Sequence, residues 1–154
     1  MLHAEPEIEV TFQSVRSALD HLLRGRMALR PILSNDTAVL DYLRFRMAFE
    51  PVETVRVLFL NAANELLSEE LLAVGTVSAV QIHPREVLKR CLALGATAIL
   101  LVHNHPSGNP VPSSADRELT RRIAAAARLL DVVIHDHLVV ARNGCTSFRR
   151  AGYL

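Results

Sequence analysis

The hydrophobic pattern of the first third of the chain is helical. Residues 1–13 show no clear period and predict a loose arm. Beyond them, apolar side chains recur three and four positions apart, at Val15, Ala18, Leu19, Leu22 and Leu23. This spacing predicts a short amphipathic helix that ends at Gly25. A second helix is predicted from an N-cap within Ser34-Asn35-Asp36 to Pro51. Its apolar face is formed by Val39, Leu40, Leu43 and Met47.

The pattern changes to strands after Glu53. An apolar run from Val55 to Leu60, a turn at residues 61–64 and a second run around Leu66 to Val74 together predict a hairpin. The stretch from Thr97 to Val102 is apolar without alternation, which is typical of a central strand buried on both faces. Residues 132–141 predict a last strand, and Gly144 lies in the turn that follows it.

Two further helices are predicted between these strands. Pro84 suits the first position of a helix that ends at Gly95. Its predicted core face is formed by Val87, Leu88, Cys91 and Leu92. Ser113 and Asp116 have the spacing of a capping box at the start of another helix, which runs to about Leu130. This order of elements predicts an α/β sandwich with a mixed sheet.

Composition and charge narrow the class of protein. The chain has 154 residues, of which 50% are hydrophobic, and its formal net charge is +1, which fits one compact domain and disfavours a strongly basic nucleic-acid binder. No apolar run approaches the roughly 20 residues of a membrane span, and the first residues do not resemble a signal peptide. We therefore expect a cytoplasmic protein with no membrane partner. Cys91 and Cys145 lack a CxxC partner and are expected to be reduced thiols.

The candidate chemistry lies at the end of the buried strand. His103 and His105 are two positions apart, so on a strand their imidazoles point to the same side and can converge on one metal. Residues 103–113 form a loop rich in proline, after which Asp116 can supply a third ligand. Two imidazoles and a carboxylate suit Zn²⁺, although Mn²⁺ and Fe²⁺ can share them. Three protein ligands leave a fourth position open for water, which predicts hydrolysis.

Each part of this motif also has a structural interpretation. Ser113 and Asp116 alone would be a capping box that any helix can use. A second His-x-His occurs at His135 and His137, but no spaced serine and carboxylate follow it. We interpret Asp136 and His137 as structural groups or as groups that orient a metal ligand. The joint spacing of the first motif is what favours a metal site.

The combined motif resembles that of a known family. His103, His105, Ser113 and Asp116 resemble the JAMM (MPN+) metalloprotease motif, and HNHPSGNPVPSSAD resembles the RadC subfamily. The resemblance extends to ETVRVLFLN, VQIHPREVLKRCLALGATAILL, DHLVV and the TSFRRAGYL end. It implies a cytidine-deaminase-like three-layer sandwich, the JAB/MPN domain, over residues 34–154. Residues 1–33 are then an N-terminal helical extension.

The resemblance also implies roles for particular residues. In the family, one zinc is held by two histidines and an aspartate, here His103, His105 and Asp116. A glutamate at the start of the first strand acts as general base and then general acid, and Glu53 matches its position. Spacing alone leaves three other glutamates open, namely Glu50, Glu65 and Glu86. Ser113 would donate to the oxyanion during hydrolysis of an amide or isopeptide bond in an unknown protein or peptide substrate.

Two other functional classes compete with a hydrolase. In one, the metal only joins the loop to the sheet, and the domain is a non-catalytic interaction module in DNA repair or in mobile-element machinery. In the other, the letters HNH and an arginine stripe at Arg117, Arg121 and Arg128 indicate a metal-dependent nuclease. Residues 1–33 are too short for the helix-hairpin-helix region that RadC proteins commonly carry, which disfavours direct DNA binding. The first two helices can pack on the domain or on a second copy, so a homodimer is an open alternative.

Overall fold

A computed structural model describes residues 6–32, 36–75 and 82–154, and four helices and five strands lie within these ranges. The helices are α1 (Pro6–Ala28), α2 (Asp36–Met47), α3 (Pro84–Leu94) and α4 (Ser114–Arg128). The strands are β1 (Thr54–Leu60), β2 (Leu66–Val74), β3 (Ala98–Asn104), β4 (Val133–Ala141) and β5 (Gly144–Ser147).

The five strands form one mixed sheet in the order β2-β1-β3-β4-β5. β3 and β4 are parallel, whereas the other neighbouring strands are antiparallel. All seven residues of β3 are buried, as its unbroken apolar run predicts for a central strand. The expected hairpin of β1 and β2 is confirmed, and so is the mixed sheet.

The sheet separates two hydrophobic cores. Because side chains alternate along a strand, Leu100 and Val102 of β3 join the core beneath α2, whereas Ile99 and Leu101 join the core beneath α3 and α4. The first core contains Val39, Leu43 and Met47 from α2, and Leu40 packs against it partly buried. The predicted α/β sandwich is therefore confirmed, with helices on both faces of the sheet.

The N-terminal helix is longer than its apolar stripe predicts. α1 begins at Pro6 and passes through Gly25, so the loose arm and the stop at Gly25 are wrong for the described residues. Residues 1–5, and the N-cap positions 34 and 35, lie outside the described residues. A proline in the first turn with Glu7 and Glu9 favours a helix start, and an interior glycine costs only about 1 kcal/mol.

Some residues of the predicted helix faces are not in the core. On α1, Leu23 packs against the first core, but Val15, Leu19 and Leu22 are exposed. Polar contacts help to hold α1 in place: Asp20 pairs with Arg46 of α2 at 3.2 Å, and Arg16 pairs with Glu50, just after α2, at 3.2 Å.

On α3, Leu92 was expected in the core but is 66% exposed, because Leu88 and Cys91 define the inward face and Leu92 lies about 100° further round.

The two cysteines lie on separate elements of the fold. Cys91 is buried on α3, Cys145 is half-buried on β5, and both are free. Burial raises the pKa of each thiol to about 11. Among the helices that the structure describes, none has the length and apolar character needed to cross a membrane.

The two glycines that were expected to end helices have opposite backbone requirements, which provides a test. Gly95 ends α3 with φ of 66°, a left-handed conformation that costs an alanine about 1 kcal/mol. Gly25 lies within α1, where alanine is favoured by about 0.5–1 kcal/mol. Neither site has an atom within 4 Å of an added Cβ. We expect Gly95→Ala to lower the free energy of unfolding in urea and Gly25→Ala to raise it. A loss of stability in Gly25→Ala would contradict a continuous α1.

Candidate metal centre

Three elements bring four predicted residues together. His103 lies near the end of β3, His105 directly follows that strand, Asp116 lies in the first turn of α4, and Glu53 directly precedes β1. One ligand atom from each lies within 4.8 Å of the others. The antiparallel register aligns Val55 with His103, so the start of β1 lies beside the end of β3. Strand pairing therefore brings Glu53 to a motif 50 residues further along the chain.

The distances within the cluster suit a small divalent ion. His103 Nε2 is 2.9 Å from His105 Nε2 and 3.3 Å from Asp116 Oδ1. His105 Nε2 is 3.4 Å from Asp116 Oδ2. Two ligand atoms about 2.0–2.1 Å from a tetrahedral zinc lie about 3.3 Å apart, so these separations are close to those of a zinc site.

The hydrogen bond at His105 Nδ1 shows which of the two ring nitrogens carries the hydrogen. His105 Nδ1 is 2.8 Å from the carbonyl oxygen of Asn109. A carbonyl only accepts hydrogen bonds, so Nδ1 carries the hydrogen, and neutral His105 presents a lone pair at Nε2. This nitrogen therefore faces the carboxylate of Asp116 as a ligand does. A hydrogen bond to Asp116 raises the pKa of His105, so a proton competes with a metal for the same lone pair.

Asp116 serves the helix start and the cluster at once. The Asp116 amide donates to Ser113 Oγ at 3.1 Å, and the Ser113 amide donates to Asp116 Oδ2 at 2.6 Å, which completes the predicted capping box. Burial alone raises the pKa of Asp116. The close contacts with His103 and His105 and the hydrogen bond from the Ser113 amide outweigh this and hold the pKa well below its usual range. The carboxylate is therefore ionised.

The contacts of the four candidate glutamates separate them clearly. Glu50 pairs with Arg16, Glu65 accepts from Asn61 Nδ2 at 2.8 Å, and Glu86 pairs with Arg85. Of the four, only Glu53 joins the histidine and aspartate cluster.

Asn104 is a residue of the site that sequence reasoning missed. Its Oδ1 accepts from the Thr54 amide at 2.8 Å and from the Thr54 hydroxyl at 2.7 Å, and its Nδ2 donates to the Val52 carbonyl at 2.9 Å. Asn104 is 1% exposed. Its hydrogen bonds to Val52 and Thr54 hold the backbone on both sides of Glu53. Its position in the sequence could have identified it. Asn104 lies between His103 and His105, so alternation along the buried strand predicts that its polar side chain lies on the opposite face.

Asp136 and His137 of the second His-x-His motif were expected to be either structural groups or groups that orient a metal ligand, and their contacts differ. His137 is buried, and its Nε2 lies 2.7 Å from His103 Nδ1. Asp136 accepts hydrogen bonds from Ser147 Oγ, from the Arg149 amide at 2.9 Å and from the His137 amide at 2.7 Å. Asp136 therefore orders the chain around β5, whereas His137 contacts a residue of the cluster. His135 lies apart, with its Nε2 against Asn64 Oδ1.

The sandwich with this cluster at the end of its central strand defines a protein of the JAB domain class. The family described as RadC-like JAB domain matches residues 33–153, and the chain belongs to this family. A UPF0758 protein of Rhodobacter capsulatus is 49% identical over 140 residues, which cover 91% of this chain and 65% of the relative. A UPF0758 protein of Ruegeria pomeroyi is 42% identical over 149 residues, 96% of this chain and 66% of the relative. The chain thus spans just under two thirds of the length of these relatives.

The contacts of Asn104 predict a large cost of truncation. Asn104→Ala leaves the Thr54 amide and the Val52 carbonyl without their partner, and each unsatisfied buried group costs about 1–3 kcal/mol. We expect the free energy of unfolding in urea to fall by about 3 kcal/mol. Asn143→Ala, at an exposed turn, serves as the matched control and should change it by less than about 0.5 kcal/mol. Equal effects of the two substitutions would contradict the role assigned to Asn104.

Proposed function

We propose that this protein is a zinc-dependent hydrolase that cleaves an amide or isopeptide bond in a protein or peptide. The observation that carries the proposal is the convergence of two imidazole nitrogens and two carboxylates within 4.8 Å of one another. In its neutral form His105 directs a lone pair at an ionised Asp116, and His103 Nε2 lies against both. A divalent cation satisfies such a group, and two imidazoles with one carboxylate are a donor set that suits Zn²⁺.

In this proposal, His103, His105 and Asp116 hold the ion, and Glu53 moves the proton. When bound, Zn²⁺ supplies Lewis acidity and lowers the pKa of a coordinated water to about 7. The Glu53 carboxylate accepts a proton from the attacking water and returns it to the leaving amine nitrogen. Its position depends on the backbone hydrogen bonds of Val52 and Thr54 to Asn104, because these fix the chain on either side of it.

Ser113 is proposed to stabilise the oxyanion. Its oxygen accepts from the Asp116 amide, which uses a lone pair and leaves the hydroxyl hydrogen to donate. One such donor contributes about 3–4 kcal/mol to the stability of a tetrahedral intermediate. The N-terminus of α4 is therefore assigned two functions, capping the helix and supporting the reaction.

The alternatives account for less of the site. An HNH nuclease places its residues in a ββα hairpin, whereas His103 and His105 lie at the end of a central strand followed by a loop and α4. A non-catalytic module needs metal ligands but has no use for the carboxylate of Glu53 at the ion. The relatives are longer than this chain, so the identity of the substrate, a link to DNA repair and a homodimer are each a proposal only. A cytoplasmic location accords with two free thiols.

Metal content and turnover test the proposal together. We expect the protein purified without added metal to contain about one zinc per chain, and His105→Ala and Asp116→Ala to lose it. Glu53→Gln should keep zinc but cleave a peptide library about 100- to 10,000-fold more slowly, because it cannot accept the proton. Glu65→Gln is the matched control, since Glu65 lies away from the cluster on the β1–β2 turn.

Each contrary result has its own meaning. Wild-type protein that binds no zinc even after reconstitution would refute the metal site and the hydrolase with it. Full zinc content with no cleavage of any peptide by the wild type would favour the non-catalytic module. Equal turnover in Glu53→Gln and Glu65→Gln would remove the role assigned to Glu53.

A further inference from the structure

A buried chain of hydrogen bonds runs from His103 away from the cluster and back to Asp116. His103 Nδ1 is 2.7 Å from His137 Nε2, and His137 Nδ1 is 2.5 Å from Thr120 Oγ1. Thr120 Oγ1 is in turn 2.7 Å from the backbone carbonyl of Asp116, one turn earlier in α4. His137 and Thr120 are each 1% exposed. This chain of hydrogen bonds is thus shielded from solvent along its length, and it joins two of the proposed ligands, His103 and Asp116.

The carbonyl at the end of the chain determines the direction of every hydrogen bond in it. The Asp116 carbonyl can only accept, so Thr120 donates its single hydroxyl hydrogen to it. Thr120 Oγ1 must then accept from His137, which places the His137 ring hydrogen on Nδ1. Neutral His137 therefore accepts at Nε2, and His103 donates from Nδ1. His103 is left with a lone pair at Nε2, the atom that faces Asp116 and His105.

The surroundings of His137 support the neutral form that this assignment requires. Its two ring nitrogens contact a hydroxyl and an imidazole, and its ring stacks on Phe148 with centroids 4.5 Å apart. None of these groups is a carboxylate that would stabilise an imidazolium. β4 holds the ring in this place, because its parallel pairing aligns His137 with Leu101 beside His103.

We propose that Thr120 and His137 are positioning residues that select the tautomer of His103 and so keep its Nε2 available as a metal ligand. The inference rests on the proposed metal function for its purpose. The opposite tautomer would place a hydrogen between His103 and the other ligands and block coordination. His105 is set by the Asn109 carbonyl directly, and His103 is set by the Asp116 carbonyl through two side chains. The tautomer of each imidazole is thus determined by a backbone carbonyl, which can only accept a hydrogen bond.

Thr120→Val tests this assignment, because valine keeps the branched shape and removes the hydroxyl. We expect zinc affinity, measured by competition with a chelator, to fall about 10- to 100-fold, as is usual when a partner of a ligating histidine is lost. Thr120→Ser should restore affinity, since serine keeps the hydroxyl. Thr146→Val is the matched control, because Thr146 lies on β5, aligned with Val139 of β4, and takes no part in the hydrogen bonds that run from His103 to Asp116. Thermal unfolding of the metal-free variants checks that each one folds.

The tautomer itself can be read without zinc and without substrate. In metal-free protein at about pH 8, where an unperturbed imidazole is neutral, ¹⁵N NMR of the histidine side chains should show His103 protonated at Nδ1. Thr120→Val should populate the Nε2-protonated form, and Thr146→Val should not.

The results distinguish failure of the inference from failure of the proposed function. His103 protonated at Nε2 in the wild type, or wild-type zinc affinity in Thr120→Val, would overturn the inference and leave a hydrolase standing. A wild-type protein that binds no zinc would refute the proposed function. The inference on the tautomer would then be supported or overturned by the NMR result alone.

Discussion

The complete burial of β3 is the constraint from which the rest of the site follows. The strand is covered on both faces, and its final residues, His103 and Asn104, remain inside the protein although they are polar. A buried polar group without a hydrogen bond costs several kcal/mol, so each of these side chains needs a partner in the interior. Alternation along the strand sends Asn104 to the backbone beside β1 and His103 to β4 and α4.

The partners imposed by burial also organise the candidate chemistry. Asn104 satisfies its amide with the chain on both sides of Glu53, and this holds the start of β1 against the end of β3. His103 satisfies Nδ1 through His137 and Thr120, and its lone pair is then directed at the cluster. The same contacts therefore serve both packing and the candidate function. Because the Nδ1 side of His103 is occupied by a hydrogen bond, only its other ring nitrogen is available to the cluster.

Asp116 couples the helix to this arrangement. Its carboxylate caps α4 and faces both histidines, and its own carbonyl orients Thr120. The amide groups at a helix N-terminus favour a negative charge, which agrees with a pKa held well below the usual range. A single residue therefore joins the electrostatics of the cluster to the backbone of α4, so a shift of the helix would disturb both.

The sequence by itself determined the first four strands along the chain, a mixed sheet, the approximate bounds of α3 and α4, and the spacing of His103, His105 and Asp116, because these features depend on periods and caps within a few residues. It misjudged α1, whose first turns lack an apolar period, and Leu92, whose neighbours on α3 are equally apolar. It also missed β5, which begins at Gly144. Only the tertiary structure separated Glu53 from the other three glutamates and revealed the contacts of Asn104 and Thr120. The contact of Asn104 with Thr54 joins residues 50 positions apart and that of Thr120 with His137 joins residues 17 positions apart, so strand register and helix docking decide them rather than local pattern.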